Sequence, residues 1–258
     1  MSYHISQPIP ALRAYVRYLA ISYSEAPQVY KVLPDTSLVV GFQFSGRLSH
    51  ITDGHDKPLH NSGITGLLDT YRVFKNDAET GSVLVGFTET GAASFFEAPL
   101  HELFGQSLSL EHFFEKATIS EARDKLYTAT DDQARLKIIQ GFLLSQLKER
   151  EEDRLVTGAL QHIYGSRGTV RIAALAAKLH TSQSPLEKRF RAVVGASPKK
   201  FASIVRSRYM LEALKHNNHN IAEHLLAYHD QAHFIKDFKK FSSVTPDQYL
   251  RTILNGQK

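Results

Sequence analysis

The sequence predicts an α+β chain: a small β-barrel- or sandwich-like N-terminal domain with helices, then an all-α C-terminal domain made of two similar helical units. Three observations predict it. Short β-branched and aromatic runs dominate up to Gly91, after which the apolar period turns helical. Charge divides the 258 residues in the same way: Ser166 to Lys258 holds 16 Lys and Arg against 6 Asp and Glu, whereas Met1 to Gly165 holds 15 against 20. The basic segment also repeats itself at an interval of 48 residues.

The elements follow in order. Leu12, Tyr15, Val16 and Leu19 sit at helical spacing, which predicts a short helix over Pro10 to Tyr23. Strands are expected at Val29–Leu33, Leu38–Phe44, Leu48–Thr52, Tyr71–Phe74 and Ser82–Phe87, with turns at Pro34-Asp35, Ser45-Gly46, Asp53-Gly54 and Thr80-Gly81. Ala92–Phe96, Leu108–Phe114 and Ile119–Leu126 read as short helices. Asp131 to Tyr164 reads as a longer helical region, broken near Glu151-Glu152-Asp153. Gly165-Ser166-Arg167-Gly168 punctuates the chain between a domain over 1–160 and one over 166–258.

The basic domain reads as helix throughout. Thr169 is placed to cap a helix bearing Ile172, Leu175, Ala176 and Leu179. After the break at His180-Thr181-Ser182, a second helix bears Leu186, Phe190 and Val193, with Pro185 in its first turn, and ends at Gly195. Ser197-Pro198 starts a long helix to Lys215, since the hydroxyl takes an orphan amide and proline has none to satisfy. Shorter helices follow at Ile221–Leu226 and Gln231–Phe241, and Thr245-Pro246 starts the last. Phe190 and Phe238, Ser197 and Thr245, Pro198 and Pro246, and Phe201 and Tyr249 are equivalent across the repeat. Each copy is a helix, a tight turn, a second helix and a capped third, the helix-turn-helix plan. A connecting helix of about 15 residues spans ~22 Å. With the width of the flanking units, this sets two recognition helices about one DNA turn (~34 Å) apart.

TSQSPLEKRFRAVVGASPKKF and YHDQAHFIKDFKKFSSVTPDQYL resemble the two helix-turn-helix copies of AraC/XylS-type bacterial transcription regulators, over Val170 to Arg251. The resemblance implies double-stranded DNA as partner and two recognition helices in successive major grooves. Carried over by position, Gln183, Ser184, Glu187, Lys188 and Arg191 of the first unit face base edges, as do Gln231, His233 and Lys236 of the second. Gln pairs with an adenine edge and Lys with guanine, while Glu accepts from cytosine N4. Lys199, Lys200, Arg206, Arg208, Lys239 and Lys240 read as phosphate contacts, which add affinity without sequence information. Phe190, Phe234, Phe238 and Phe241 fall on buried spacing and read as core. The chain departs from the family in the second unit: Ala227 and Ser243 stand where turn glycines are usual, and Glu223 stands near a small, packed position. A side chain in a left-handed turn costs on the order of 1 kcal/mol.

In the first half, IPALRAYVRY, LPDTSLVVGF and GAASFFEAPLHEL resemble a sensor domain carried by some of these regulators. That implies a small-molecule effector or a homodimer, with RNA polymerase as a further partner. Two other readings stay open. In one, the N-terminal domain binds a protein and the chain is a DNA-binding adaptor. In the other, His50, His55 and His60 mark a metal-binding barrel. Their spacing lacks the His-x-His of one strand face, and the acids nearby are Asp53 and Asp56, so exposed loop histidines and no metal are expected. The chain has no cysteine, which excludes disulfides, thiolate metal sites and cysteine nucleophiles, and it has no Gly-x-Ser-x-Gly elbow. No enzyme activity and no cofactor are expected. The start has no secretory pattern and no stretch is apolar enough for a membrane span, so a cytoplasmic protein is expected.

Overall fold

The structure of the chain, a computed structural model, describes residues 2–215 and 231–256. Two antiparallel sheets form the N-terminal part. The larger has six strands in the order β1 (Ser2–Ser6), β2 (Val16–Ser24), β9 (Thr80–Phe87), β4 (Val39–Ser45), β7 (Ser62–Thr65) and β10 (Ser107–Ser109). The smaller has four, in the order β3 (Gln28–Val32), β8 (Arg72–Asn76), β5 (Leu48–Thr52) and β6 (His55–Pro58). The sheets face each other as a sandwich and do not close into one barrel.

All five expected strands are present, with ends shifted by up to two residues. The expected helix over Pro10 to Tyr23 is not. Only a 3₁₀ turn, Pro10–Leu12, forms there, and the chain then enters β2. In β2, Leu19 and Ile21 point to one face while Tyr18 and Ser22 point to the other, and Leu19 pairs with Val85 and Ile21 with Val83. A short apolar run fits both periods, and sheet pairing decided it. The expected helix at Leu108–Phe114 divides into β10 and a 3₁₀ turn, Leu110–His112, where the Ser109 hydroxyl accepts from the Glu111 amide at 3.2 Å. At Ala92–Phe96 the chain forms a 3₁₀ turn over Gly91–Ser94.

The six-stranded sheet is apolar on one face. Leu19, Ile21, Val40, Phe42, Val83, Val85 and Phe87 pack there against α1 (Lys116–Thr128) and α2 (Asp132–Gln146) through Ile119, Leu126, Ile139 and Phe142. Phe42 meets Phe142 edge-on at 5.4 Å. The other face carries Gly41, Ser82 and Leu84 and looks across a cavity to the four-stranded sheet. The break near Glu151 to Asp153 separates α2 from α3 (Arg154–Gly165), and the Asp153 carboxylate caps α3 by accepting from the Val156 amide at 3.1 Å.

The apolar cluster continues through α3 into α4 (Ile172–Lys178), α5 (Gln183–Val194) and the start of α6 (Pro198–Lys215). Thr169 does not cap α4: its hydroxyl donates to the Ser166 carbonyl at 2.7 Å, and Arg171 holds the cap position. A second cluster joins α6 to α7 (Gln231–Ser242) through Ile204, Met210, Leu211, Leu214, Phe238 and Phe241, and Tyr249 of α8 (Pro246–Gly256) packs against it. Among the described residues, no helix is long and apolar enough to cross a membrane.

Candidate nucleic-acid interface

The two helical units share local chemistry as well as spacing. Each long third helix starts on a hydroxyl cap. Ser197 Oγ accepts from the Lys200 amide at 3.2 Å. Thr245 Oγ1 accepts from the Gln248 amide at 3.3 Å, and Gln248 Oε1 accepts in return from the Thr245 amide at 2.9 Å, a reciprocal capping box. Each second helix ends in a left-handed residue, Gly195 at φ 93° and Ser243 at φ 75°. Gly195 donates to the Arg191 carbonyl at 3.2 Å, and Ser243 to the Lys239 carbonyl at 2.9 Å. The serine therefore occupies the strained conformation that its position in the repeat predicts.

In the first unit, α5 turns Leu186, Phe190 and Val194 inward. Gln183, Ser184, Glu187, Lys188 and Arg191, all predicted base contacts, are exposed on the remaining surface. Ser184, Glu187, Lys188 and Arg191 follow the i, i+3, i+4, i+7 spacing of one helix face. Glu187 and Arg191 approach to 3.8 Å. Arg189 leaves this surface and grips Asp153 with two hydrogen bonds, of 2.8 and 2.7 Å, which fixes α5 on the start of α3. Sequence reasoning did not single out Arg189, whose partner lies 36 residues away. In the second unit, Lys236 is exposed on α7. Gln231 and His233 also fall on α7, but their side chains lie outside the described part of the structure, as do residues 216–230 with Glu223, Ala227 and the expected helix at Ile221–Leu226. Phe190, Phe238 and Phe241 are buried, as expected; the side chain of Phe234 is outside the described part.

The predicted phosphate contacts divide. Lys199 and Lys239 are exposed. Arg206 stands 3.9 Å from Asp237 within the helical domain. The other three meet carboxylates of the sheet domain. Asp69, in the loop between β7 and β8, takes Lys240 at 2.9 Å and Lys200 at 3.4 Å. Asp35, between β3 and β4, takes Arg208 at 2.5 Å. The Thr70 hydroxyl adds a bond to the Lys240 carbonyl at 2.9 Å, and Lys31 donates to the Ser243 hydroxyl at 2.6 Å. Burial alone would raise the Asp69 carboxyl, but hydrogen bonds and charge from Lys240 and Lys200 outweigh it and hold it below its ordinary value. Behind Asp35, Arg17 pairs with Glu89, which also accepts from the Tyr164 hydroxyl at the end of α3.

These two loops also border the cavity between the sheets. Leu33, Asp35, Ser37, Gly66 and Leu68 line it, and Leu33 packs in addition against the apolar cluster of the second unit. Neither loop carried a signal that linked it to the basic domain. The three histidines do not converge. His50 and His55 are strand residues, on β5 and β6, and His50 is half-buried, so the expectation of exposed loop residues holds in full only for His60. His50 Nδ1 lies 3.0 Å from the Thr52 hydroxyl and its ring packs on Phe74. Among the described residues, no three His, Asp or Glu side chains group in a way that would hold a metal ion.

Residues 175–252 match the family described as a helix-turn-helix domain, and residues 4–109 match a domain of unknown function, DUF6597. No curated protein matches the chain. Among solved structures, ToxT from Vibrio cholerae O395 is 15% identical over 93% of this chain and 98% of its own, with a TM-score of 0.44. The C-terminal domain of AraT, a response regulator from Geobacillus stearothermophilus, is 26% identical over 40% of this chain and 88% of its own, at a TM-score of 0.37. The AraC-like transcriptional activator CuxR is 12% identical over 88% of this chain and 90% of its own, at 0.27. The paired units, their caps and the family match over residues 175–252 identify that part of the chain as a helix-turn-helix domain.

Proposed function

We propose that the chain is a sequence-specific regulator whose affinity for DNA is set by a small molecule held between the two sheets. Residues 1–160 form the effector domain and residues 166–258 the DNA-binding domain. Gln183, Ser184, Glu187, Lys188 and Arg191 read one major groove, and Gln231, His233 and Lys236 the next. Lys199, Lys200, Arg206, Arg208, Lys239 and Lys240 take phosphates.

One observation carries the regulatory part of this reading. Arg208 is paired with Asp35, which lines the cavity, and Lys200 and Lys240 are paired with Asp69, the neighbour in sequence of the lining residue Leu68. Asp35 and Asp69 stand where phosphate oxygens would otherwise be, so the sheet domain and DNA compete for the same cations. A ligand that repacks Leu33, Ser37 and Leu68 moves the loops that carry both carboxylates and shifts that competition.

The pairs are partly exposed and screened, worth about 0.2–1 kcal/mol each. Loss of the two at Asp69 therefore tightens DNA binding about two- to thirtyfold. A gel-shift titration of Asp69→Asn against the parent, on an operator selected from a random pool, checks this. Unchanged or weaker binding by the variant would sink the competition reading.

A further inference from the structure

Facing sheets ordinarily close over an interdigitated layer of side chains. Here the small residues Gly41, Gly63 and Ser82 leave a cavity of about 340 Å³ between them. An engineered cavity of about 150 Å³ admits benzene, so this one has room for a molecule of about two rings. Its walls are flat and apolar. Tyr30 and Phe74 stack 6.0 Å apart on the four-stranded sheet. Across from them the Tyr18 ring lies over Gly86, where a Cβ would come within 2.2 Å of it.

The polar groups of the lining constrain the charge of an occupant. No Lys or Arg lines the cavity, and the one histidine that does, His60, is exposed, so an anion buried between the sheets finds no buried cation for the hydration it gives up. The one carboxylate, Asp35, is taken by Arg208 at 2.5 Å and Arg17 at 3.8 Å, and a cation would have to displace both. Burial pushes the Tyr30 hydroxyl up to about 12 and raises Tyr3 and Tyr18 as well, so these walls stay neutral. Among the uncharged polar side chains of the lining, Gln43, Thr65 and Ser107 already have hydrogen-bond partners, and Ser37 stands apart from them. It is 5% exposed, it lines the cavity, and its hydroxyl has no hydrogen-bond partner among the described residues.

We infer that the cavity binds an uncharged molecule of about two rings bearing a carbonyl or hydroxyl oxygen, and that this oxygen accepts a hydrogen bond from Ser37. The inference rests on the cavity being the effector site, and the two fail separately. Three probes of one shape test it on the full chain at pH 7 by calorimetry: 2-acetylnaphthalene, 2-naphthoate and 2-naphthylmethylammonium. The ketone is expected to bind at least tenfold more tightly than either ion. Ser37→Ala is expected to weaken the ketone about three- to tenfold without lowering the thermal midpoint of the empty protein, because the hydroxyl it removes has no partner there. An ion that binds as well as the ketone, no binding by the ketone, or a ketone affinity untouched by Ser37→Ala overturns the inference. Gel shifts with the tightest probe report on the effector reading by themselves. A ketone that binds through Ser37 but leaves DNA affinity unchanged breaks that reading alone, and a naphthoate that binds best and changes DNA affinity breaks only the assigned class.

Discussion

Phe190 and Phe238 stand 48 residues apart, and each meets an aromatic ring of the next helix edge-on: Phe201 at 5.6 Å and 68°, Tyr249 at 5.9 Å and 69°. Beyond that shared pair the two units diverge. Phe190 belongs to the cluster that runs without a break from the six-stranded sheet through α3. Phe238 belongs to a small cluster on the far half of α6, and among the described residues of the sheet domain only Leu33 packs against it. Among the described residues, the second unit also meets the sheet domain through polar contacts at Asp69, Thr70 and Lys31. Apolar burial is non-directional and large, whereas an exposed ion pair contributes little and is exchangeable. The first unit is thus built into the body of the protein, and the second is latched to it by polar groups, among them Lys240, proposed above as a phosphate contact.

The most severe test of that contrast is truncation of the paired rings. Phe190→Ala and Phe238→Ala each remove a buried ring at a local cost of about 3–5 kcal/mol. The consequences are expected to differ in reach. Phe190→Ala lowers the unfolding midpoint of the whole chain, sheets included. Phe238→Ala leaves amide exchange in the sheets and α3 near the parent's and raises it in α7 and α8. Equal loss of protection in the sheets for both variants would mean that the second unit is as integral as the first.

The next effect separates groove from backbone within the second unit. Lys236→Ala is expected to cost about 1–3 kcal/mol on the preferred operator and to relax specificity at one base pair. Lys240→Ala weakens all sequences alike, and by less than a phosphate contact on its own would suggest, because it also releases the latch on Asp69. Identical profiles for the two on an operator panel would remove the distinction.

The same contrast marks what was legible in the sequence. The repeat was legible because its signals are local: a hydroxyl before a proline, an aromatic at a fixed offset, a glycine or its replacement at a left-handed turn. Gly195 and Ser243 stand in that turn as their positions predict. The sandwich was legible in outline through its β-branched runs. β1, β6 and β7 were not: HDKP and SGIT carry little apolar alternation, and SYHIS alternates but is short and exposed over most of its length, so all three owe their pairing to neighbours. β2 was misread because its spacing fits two periods. Of the candidate interface, the exposed face of α5 followed from helix periodicity. The partners of Lys200, Arg208 and Lys240 did not, since Asp69 lies more than a hundred residues before the two lysines it holds and sits in a loop without a pattern of its own.

A smaller effect comes from the turn pair. Ser243 holds φ 75° with a Cβ, so Ser243→Gly is expected to stabilise the second unit by about 0.5–1 kcal/mol. Gly195→Ala is expected to destabilise the first by about 1 kcal/mol or more, since φ is 93° and the new Cβ would lie 3.3 Å from the Leu100 carbonyl oxygen. Thermal unfolding gives the second value, and amide exchange in α7 and α8 gives the first. Opposite signs are required; a loss of stability at Ser243→Gly would show that the Lys31 contact outweighs the strain.

The smallest expected effect concerns the latch alone. Burial raises the Asp69 carboxyl while Lys240 and Lys200 lower it, and the lysines prevail, so it titrates below its ordinary 3.8. A carboxyl whose value is depressed on folding contributes its stabilisation fully above the ordinary value and loses it as pH falls through the depressed one. The Asp69 carboxylate is therefore charged through the physiological range and the latch opens only in acid, so pH is not the agent that would release it near neutrality. The double variant Lys200→Ala/Lys240→Ala removes both lowering influences and leaves burial in control. Its Asp69 midpoint, followed by carboxyl carbon resonance, is expected to move from below 3.8 to above it. A midpoint that stays depressed without the lysines would mean that another group holds Asp69, and that the contrast between a buried unit and a latched one has been drawn at the wrong residues.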